Sequence, residues 1–114
     1  MAGVGPKHGD LWYAQLSPVV GHEQGGPRPV LIVSGDRLNS LPSDIVAILP
    51  LTSRDRGLTW HYRLEVGATG LSNTSFVVCE QLRTIGKKRL RRYVGEVEPD
   101  DLHQIMEIVY WMLS

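Results

Sequence analysis

Only one stretch of this chain repeats its apolar residues at helical spacing, and it comes last. Pro99 suits the first turn of a helix, and Asp100 and Asp101 favour its positive end. Leu102, Ile105, Met106, Val109, Met112 and Leu113 then recur along one stripe, the pattern of a helix packing on a core. Everything before it is short apolar runs broken by glycine and proline. Such a chain is mainly β with a C-terminal helix.

The runs themselves place the strands. Asp10 to Leu16 alternates, with Trp12, Ala14 and Leu16 on one face of a half-buried strand. Ser17 to Pro27 holds three glycines and two prolines, a long loop for a hairpin connection. Pro29 to Ser34 is a β-branched strand, and Gly35 to Ser43 a turn region. Ile45 to Leu49 is apolar throughout, as expected of a central strand buried on both faces, and Pro50 is expected to interrupt it. Thr52 to Leu58 reads as a loop, Trp60 to Val66 as an alternating strand, and Gly67 to Asn73 as a turn cluster. Ser75 to Cys79 is a further strand, Leu82 to Ile85 continues the sheet, and Tyr93 to Val97 is the last short strand. The expected fold is a small, partly open barrel of five to seven mostly antiparallel strands with one terminal helix. Residues 1–8 read as a loose tail and 9–114 as one domain, a fitting size for a single core.

No stretch is long or apolar enough to span a membrane, and Met1 to Lys7 lacks the apolar core of a signal peptide. The single cysteine, Cys79, lies in the apolar run Phe76-Val77-Val78-Cys79, so it reads as a small buried hydrophobe in a cytoplasmic protein. The formal net charge is zero, which by itself argues against a nucleic-acid partner. The distribution argues the other way. Arg83, Lys87, Lys88, Arg89, Arg91 and Arg92 cluster with no acid among them, and Glu96, Glu98, Asp100, Asp101 and Glu107 follow. The basic stripe is either a solvated face or a track for a phosphate backbone.

The four histidines, His8, His22, His61 and His103, share no metal-ligand spacing, and no cysteine pair exists, so neither a metal nor another cofactor is expected. Phosphate-loop and nucleophile-elbow motifs are missing as well. What remains is polar residues where strands hand over to loops, the usual place for a site. Arg28 closes the glycine-rich loop, Thr52 and Ser53 follow Pro50, and Glu80, Gln81 and Arg83 follow Cys79. Each has a plainer reading: Arg28 as a surface ion-pair partner, Thr52 as a turn hydroxyl, Glu80 and Arg83 as a cross-strand pair.

Three blocks in order carry a resemblance. Gly9-Asp10-Leu11-Trp12 with Leu16-Ser17-Pro18-Val19-Val20-Gly21-His22-Glu23-Gln24-Gly25-Gly26-Pro27-Arg28-Pro29-Val30-Leu31 resembles the opening of the MazF/PemK toxins. Pro50-Leu51-Thr52-Ser53 is similar to their second block, and Glu80-Gln81-Leu82-Arg83-Thr84-Ile85 with Lys88-Arg89-Leu90 to their third. The resemblance implies an SH3-like barrel, a homodimer, cleavage of single-stranded RNA, and an antitoxin whose acidic tail occupies the RNA groove. It implies Arg28 and Thr52 as the catalytic pair. Glu23 and Gln24 would border the site, with Gln81 and Arg83 near the RNA path. Ser53, Lys87 and Arg89 complete the set expected on RNA. One departure stands out: some members carry an arginine two residues before the acid of the third block, where this chain has Val78, and the acid here is Glu80.

Metal-free cleavage needs a base for the 2′-hydroxyl, stabilisation of the pentavalent phosphate, and a proton for the leaving 5′-oxygen. The guanidinium of Arg28 forks onto phosphate oxygens, but with its high pKa it is a poor base. Glu80 is the expected base. Trp60 and His61 are either stacking platforms for splayed bases or, for Trp60, part of the core. Two other functions fit the same barrel: a gyrase-poisoning toxin of the CcdB type, and an RNA- or protein-binding barrel without catalysis.

Overall fold

The computed structural model describes residues 5–18 and 21–114; Met1–Val4 of the expected tail and Val19 and Val20 of the first block lie outside the described residues. Seven strands and two helices follow one another as β1 (Asp10–Gln15), β2 (Pro27–Ile32), α1 (Asp36–Asn39), β3 (Ile45–Thr52), β4 (His61–Leu64), β5 (Ser75–Val78), β6 (Arg83–Gly86), β7 (Leu90–Glu96) and α2 (Pro99–Leu113). Short 3-10 turns occupy Gly67–Thr69, Cys79–Gln81 and Lys87–Arg89. The strands pair antiparallel in the order β4-β5-β3-β2-β1-β7, with β6 on the first half of β3.

That order bends into a curl. β6 runs through the turn Lys87–Arg89 into β7, which lies beside β1, but no ladder joins β6 to β7 among the described residues. The expected mainly β fold with one terminal helix is therefore present, as an open sheet and not a closed barrel. Its inside is filled by Ala14, Leu16, Val30, Ile32, Val46, Ile48 and Ile85, with Trp12 and Leu90 packed against them. The other face carries Leu11, Leu31, Leu49, Leu51, Leu64 and Val77, and α2 covers it with Ile105 and Val109. Both faces of β2 and β3 are thus buried, each large side chain contributing about 1.5–3 kcal/mol.

Three local expectations are corrected. Pro50 does not interrupt β3; it pairs with Val30 inside the strand. It falls between Ile48, the last residue paired to β6, and Leu51, the first paired to β5, where the neighbour on that side changes. A residue without an N–H is tolerated at such a break in the ladder. The turn region after β2 contains α1, held by Asn39, whose amide donates to the Ser34 carbonyl at 3.0 Å. In α2, Leu113 is exposed, and Ile108 joins Met112 and the rest of the packed stripe in its place.

Two glycines lock β7 to the turn at Gly67–Thr69. Gly70 has a φ of +83°, and a Cβ there would strike the Val94 carbonyl; a Cβ at Gly95 would strike the Thr69 carbonyl. Only glycine allows backbones this close.

Candidate active site

The β2–β3 register explains how residues far apart in sequence meet. The pairing ends at Val30 and Pro50, and beyond it the Arg28 guanidinium reaches across to the Leu51 carbonyl, next to Thr52 in the chain. Both line a groove of about 660 Å³, a usual size for a ligand site. Gln24 and Ser53 line it too, as do Arg92 of the basic stripe and three residues that sequence reasoning did not single out: Tyr13, Arg54 and Arg56. Its walls hold four arginines and no carboxylate or imidazole, in a chain of zero net charge. Such one-sided lining favours an anion.

Arg28 is fixed by backbone. Its Nε donates to the Gly25 carbonyl at 2.8 Å and its Nη1 to the Leu51 carbonyl at 3.0 Å. Part of the guanidinium edge remains for a ligand. Burial lowers the Arg28 pKa below its ordinary value, and the Tyr13 phenol opposes this. The Thr52 hydroxyl accepts the Arg54 backbone N–H at 3.2 Å. Its own proton is thereby directed away from that amide and available to an acceptor.

The other expected site residues serve different ends. Glu80 does not line the groove. Both of its oxygens lie 3.1 Å from His61 Nε2, on a side chain that is only 3% exposed. His61 is therefore no stacking platform, while Trp60 is half-buried. Gln81 holds the β1–β2 loop: its Oε1 accepts the Gln24 N–H at 2.6 Å and its Nε2 donates to the His22 carbonyl at 3.1 Å. Arg83 reaches Glu23 on the same loop, with 3.7 Å between Nη1 and Oε1. Arg89 donates from Nη1 to the carbonyls of Gln15 at 3.2 Å and Ser17 at 2.7 Å. Lys87 bonds the Asn39 carbonyl at the end of α1. Among them, Gln81, Arg83 and Arg89 clamp the loop that carries Gln24 into the groove, a role that sequence spacing cannot reveal.

Cys79 is 2% exposed, and burial beside the Glu80 charge pushes its thiol up to about 12. It stays an un-ionised core residue, as expected. No helix among the described residues is long and apolar enough to cross a membrane.

Comparison with known proteins bears on this geometry. A family model for PemK-like, MazF-like toxins of type II toxin-antitoxin systems matches residues 7–113. The chain is 36% identical over 109 residues to endoribonuclease EndoA of Bacillus subtilis (strain 168), covering 95% of this chain and 94% of that one. Its fold is similar to the crystal structure of MazF from Deinococcus radiodurans, at 27% identity and a TM-score of 0.85, covering 96% of each chain. It is similar as well to a MazE-MazF crystal structure from the same organism, at 27% identity and a TM-score of 0.76, covering 95% of each. These matches favour the nuclease-type toxin over the gyrase-poisoning and non-catalytic barrels. By a family match that spans nearly its whole length, this chain belongs to the PemK-like, MazF-like toxins of type II toxin-antitoxin systems.

Proposed function

We propose that this toxin is a metal-independent endoribonuclease that cuts single-stranded RNA, with Arg28 and Thr52 holding the scissile phosphate. The 2′-oxygen would form a bond to phosphorus as the bond from phosphorus to the 5′-oxygen breaks. That leaves a 2′,3′-cyclic phosphate on one fragment and a 5′-hydroxyl on the other. One observation carries the reading: a backbone-fixed arginine and an available threonine hydroxyl share a groove lined by arginine and no acid.

In this reading Arg28 stabilises the pentavalent phosphate and protonates the 5′-oxygen, a transfer eased by its lowered pKa. Thr52 donates to a non-bridging oxygen. Gln24 and Ser53, on the groove wall, meet the strand. Glu80 stands on His61 instead of in the groove, so the 2′-hydroxyl proton passes to solvent water as the 2′-oxygen attacks, and solvent returns a proton to Arg28 after it has protonated the 5′-oxygen. Likeness to a MazE-MazF complex supports an antitoxin partner, whose acidic segment would compete for the same arginines. A homodimer acting in the cytoplasm completes the proposal, since a domain this small buries little surface alone and its one cysteine is a buried free thiol. Sedimentation that finds only monomer at micromolar concentration would remove the dimer.

The deciding experiment is cleavage of a long unstructured RNA in excess EDTA by the wild-type chain and by Arg28→Ala, with the fragment ends sequenced. Discrete cuts ending in cyclic or 3′-phosphate, lost in the mutant, support the reading. No cuts, or equal cuts by both proteins, overturn it.

A further inference from the structure

Resting on the RNA reading above, we propose that Arg92, seated over the Tyr13 ring, is a second phosphate-binding subsite, taking a backbone phosphate other than the one held by Arg28. Arg92 and Tyr13 are direct cross-strand partners on β7 and β1, so their side chains share a face. The Arg92 guanidinium carbon lies 5.1 Å from the centre of the Tyr13 ring. Stacking engages the face of a guanidinium and leaves the N–H groups on its edge unspent, and that edge is what forks onto phosphate oxygens. Tyr13 and Arg92 both line the groove that holds Arg28, and the Tyr13 phenol is close enough to act on the Arg28 charge. One ring thus stands between two arginines in a groove with no carboxylate to neutralise either.

The sheet gives Arg92 this aim. The β1–β7 register slips twice, between Leu11 and Trp12 and between Tyr13 and Ala14, leaving Val94 and Arg91 as extra residues on β7. Bulges re-aim the side chains beside them. Arg91 turns its Nη1 back to the Lys88 carbonyl at 3.0 Å and does not line the groove. Two adjacent arginines, alike in sequence, therefore have different fates. Trp12 and Tyr93, the next pair along, meet edge to face at 5.9 Å between ring centres and brace the ladder.

Because a phosphate contact is independent of base sequence, it is read from salt dependence. The test is equilibrium binding of a mixed-sequence, single-stranded oligonucleotide whose 2′-hydroxyls are replaced by hydrogen, followed against salt. Arg92→Gln is expected to weaken binding about fivefold to tenfold at about 0.1 M salt and to flatten the log–log slope by about 0.7, the share of one single-strand phosphate. Arg91→Gln removes the same charge and is expected to keep the wild-type slope. Tyr13→Leu weakens binding, and Tyr13→Phe, which restores a ring, recovers most of the loss. An unchanged slope in Arg92→Gln, or an equal loss in Arg91→Gln, overturns the subsite. Cleavage of the all-ribose oligomer by the wild type is measured alongside. Binding with the Arg92 increment but without cleavage overturns the nuclease reading alone, and no binding by the wild type overturns both.

Discussion

The Arg28 Nη1 donates to the Leu51 carbonyl at 3.0 Å, so the guanidinium is bound to the backbone immediately before Thr52. Arginine and threonine are thus positioned by one strand pair and not by their own side-chain packing. A shift of β3 along β2 would carry Thr52 and the Leu51 carbonyl away from Arg28. The geometry of the pair is as rigid as the central ladder of the sheet, and this rigidity makes the consequences of altering either residue specific.

Arg28→Lys keeps the charge but cannot satisfy the Gly25 and Leu51 carbonyls and still fork onto a phosphate. Turnover is expected to fall about 100- to 1,000-fold, near the level of Arg28→Ala. Single-turnover cleavage measures it. A lysine enzyme as fast as wild type would mean that a point charge suffices.

Thr52→Val keeps the shape of a side chain that is only 9% exposed and removes its hydroxyl. The Arg54 amide loses its acceptor, and a bound phosphate would lose a donor. Turnover is expected to fall about 100-fold, while Thr52→Ser stays within about tenfold of wild type. Equal rates for valine and serine would place the hydroxyl outside the chemistry.

Glu80 is bound to a buried histidine whose Nδ1 has no hydrogen-bond partner among the described residues, so its carboxylate has a structural task. Glu80→Gln is expected to cost about 1–2 kcal/mol of stability and to leave the pH–rate profile in place. Denaturant unfolding and a pH series check both. Loss of the acidic limb with normal stability would return Glu80 to the role of base.

The Tyr62 hydroxyl donates to Asp101 Oδ1 at 2.6 Å, tying β4 to the first turn of α2. Burial first, then the bond and charge of Asp101, raises its pKa from 10.0 to about 12. A phenol that holds its proton more tightly when folded contributes stability in full below pH 10, and loses it as pH rises toward about 12. Tyr62→Phe is expected to be less stable by about 1 kcal/mol at neutral pH, with the difference shrinking over that alkaline range. Melting curves of both proteins against pH test this; a constant difference would assign the effect to packing.

Gly95→Ala puts a methyl group against the Thr69 carbonyl, and Gly70→Ala adds a positive φ to a clash with Val94. Each is expected to cost about 3 kcal/mol. Values below about 1 kcal/mol would show that the turn and β7 separate easily.

Much of this molecule was legible in the order of its residues. Alternation in Asp10–Leu16, the apolar run Ile45–Leu49 and the helical stripe after Pro99 fixed the mainly β fold, because burial selects by period and period is local. The blocks around Arg28 and Thr52 pointed to the groove. Tertiary structure decided the rest. Which polar side chains face the groove depends on strand register and bulges, and these follow from pairings between distant segments. Gln81, Arg83 and Arg89 look like the arms of an RNA site in sequence, yet they bond the β1–β2 loop, since that loop folds back over them. Arg92 looks like any residue of a basic stripe, yet a slip of one residue on β7 sets it over Tyr13. Sequence determined which segments supply the core; only the pairing and curl of the open sheet decided which of the charged residues stand together.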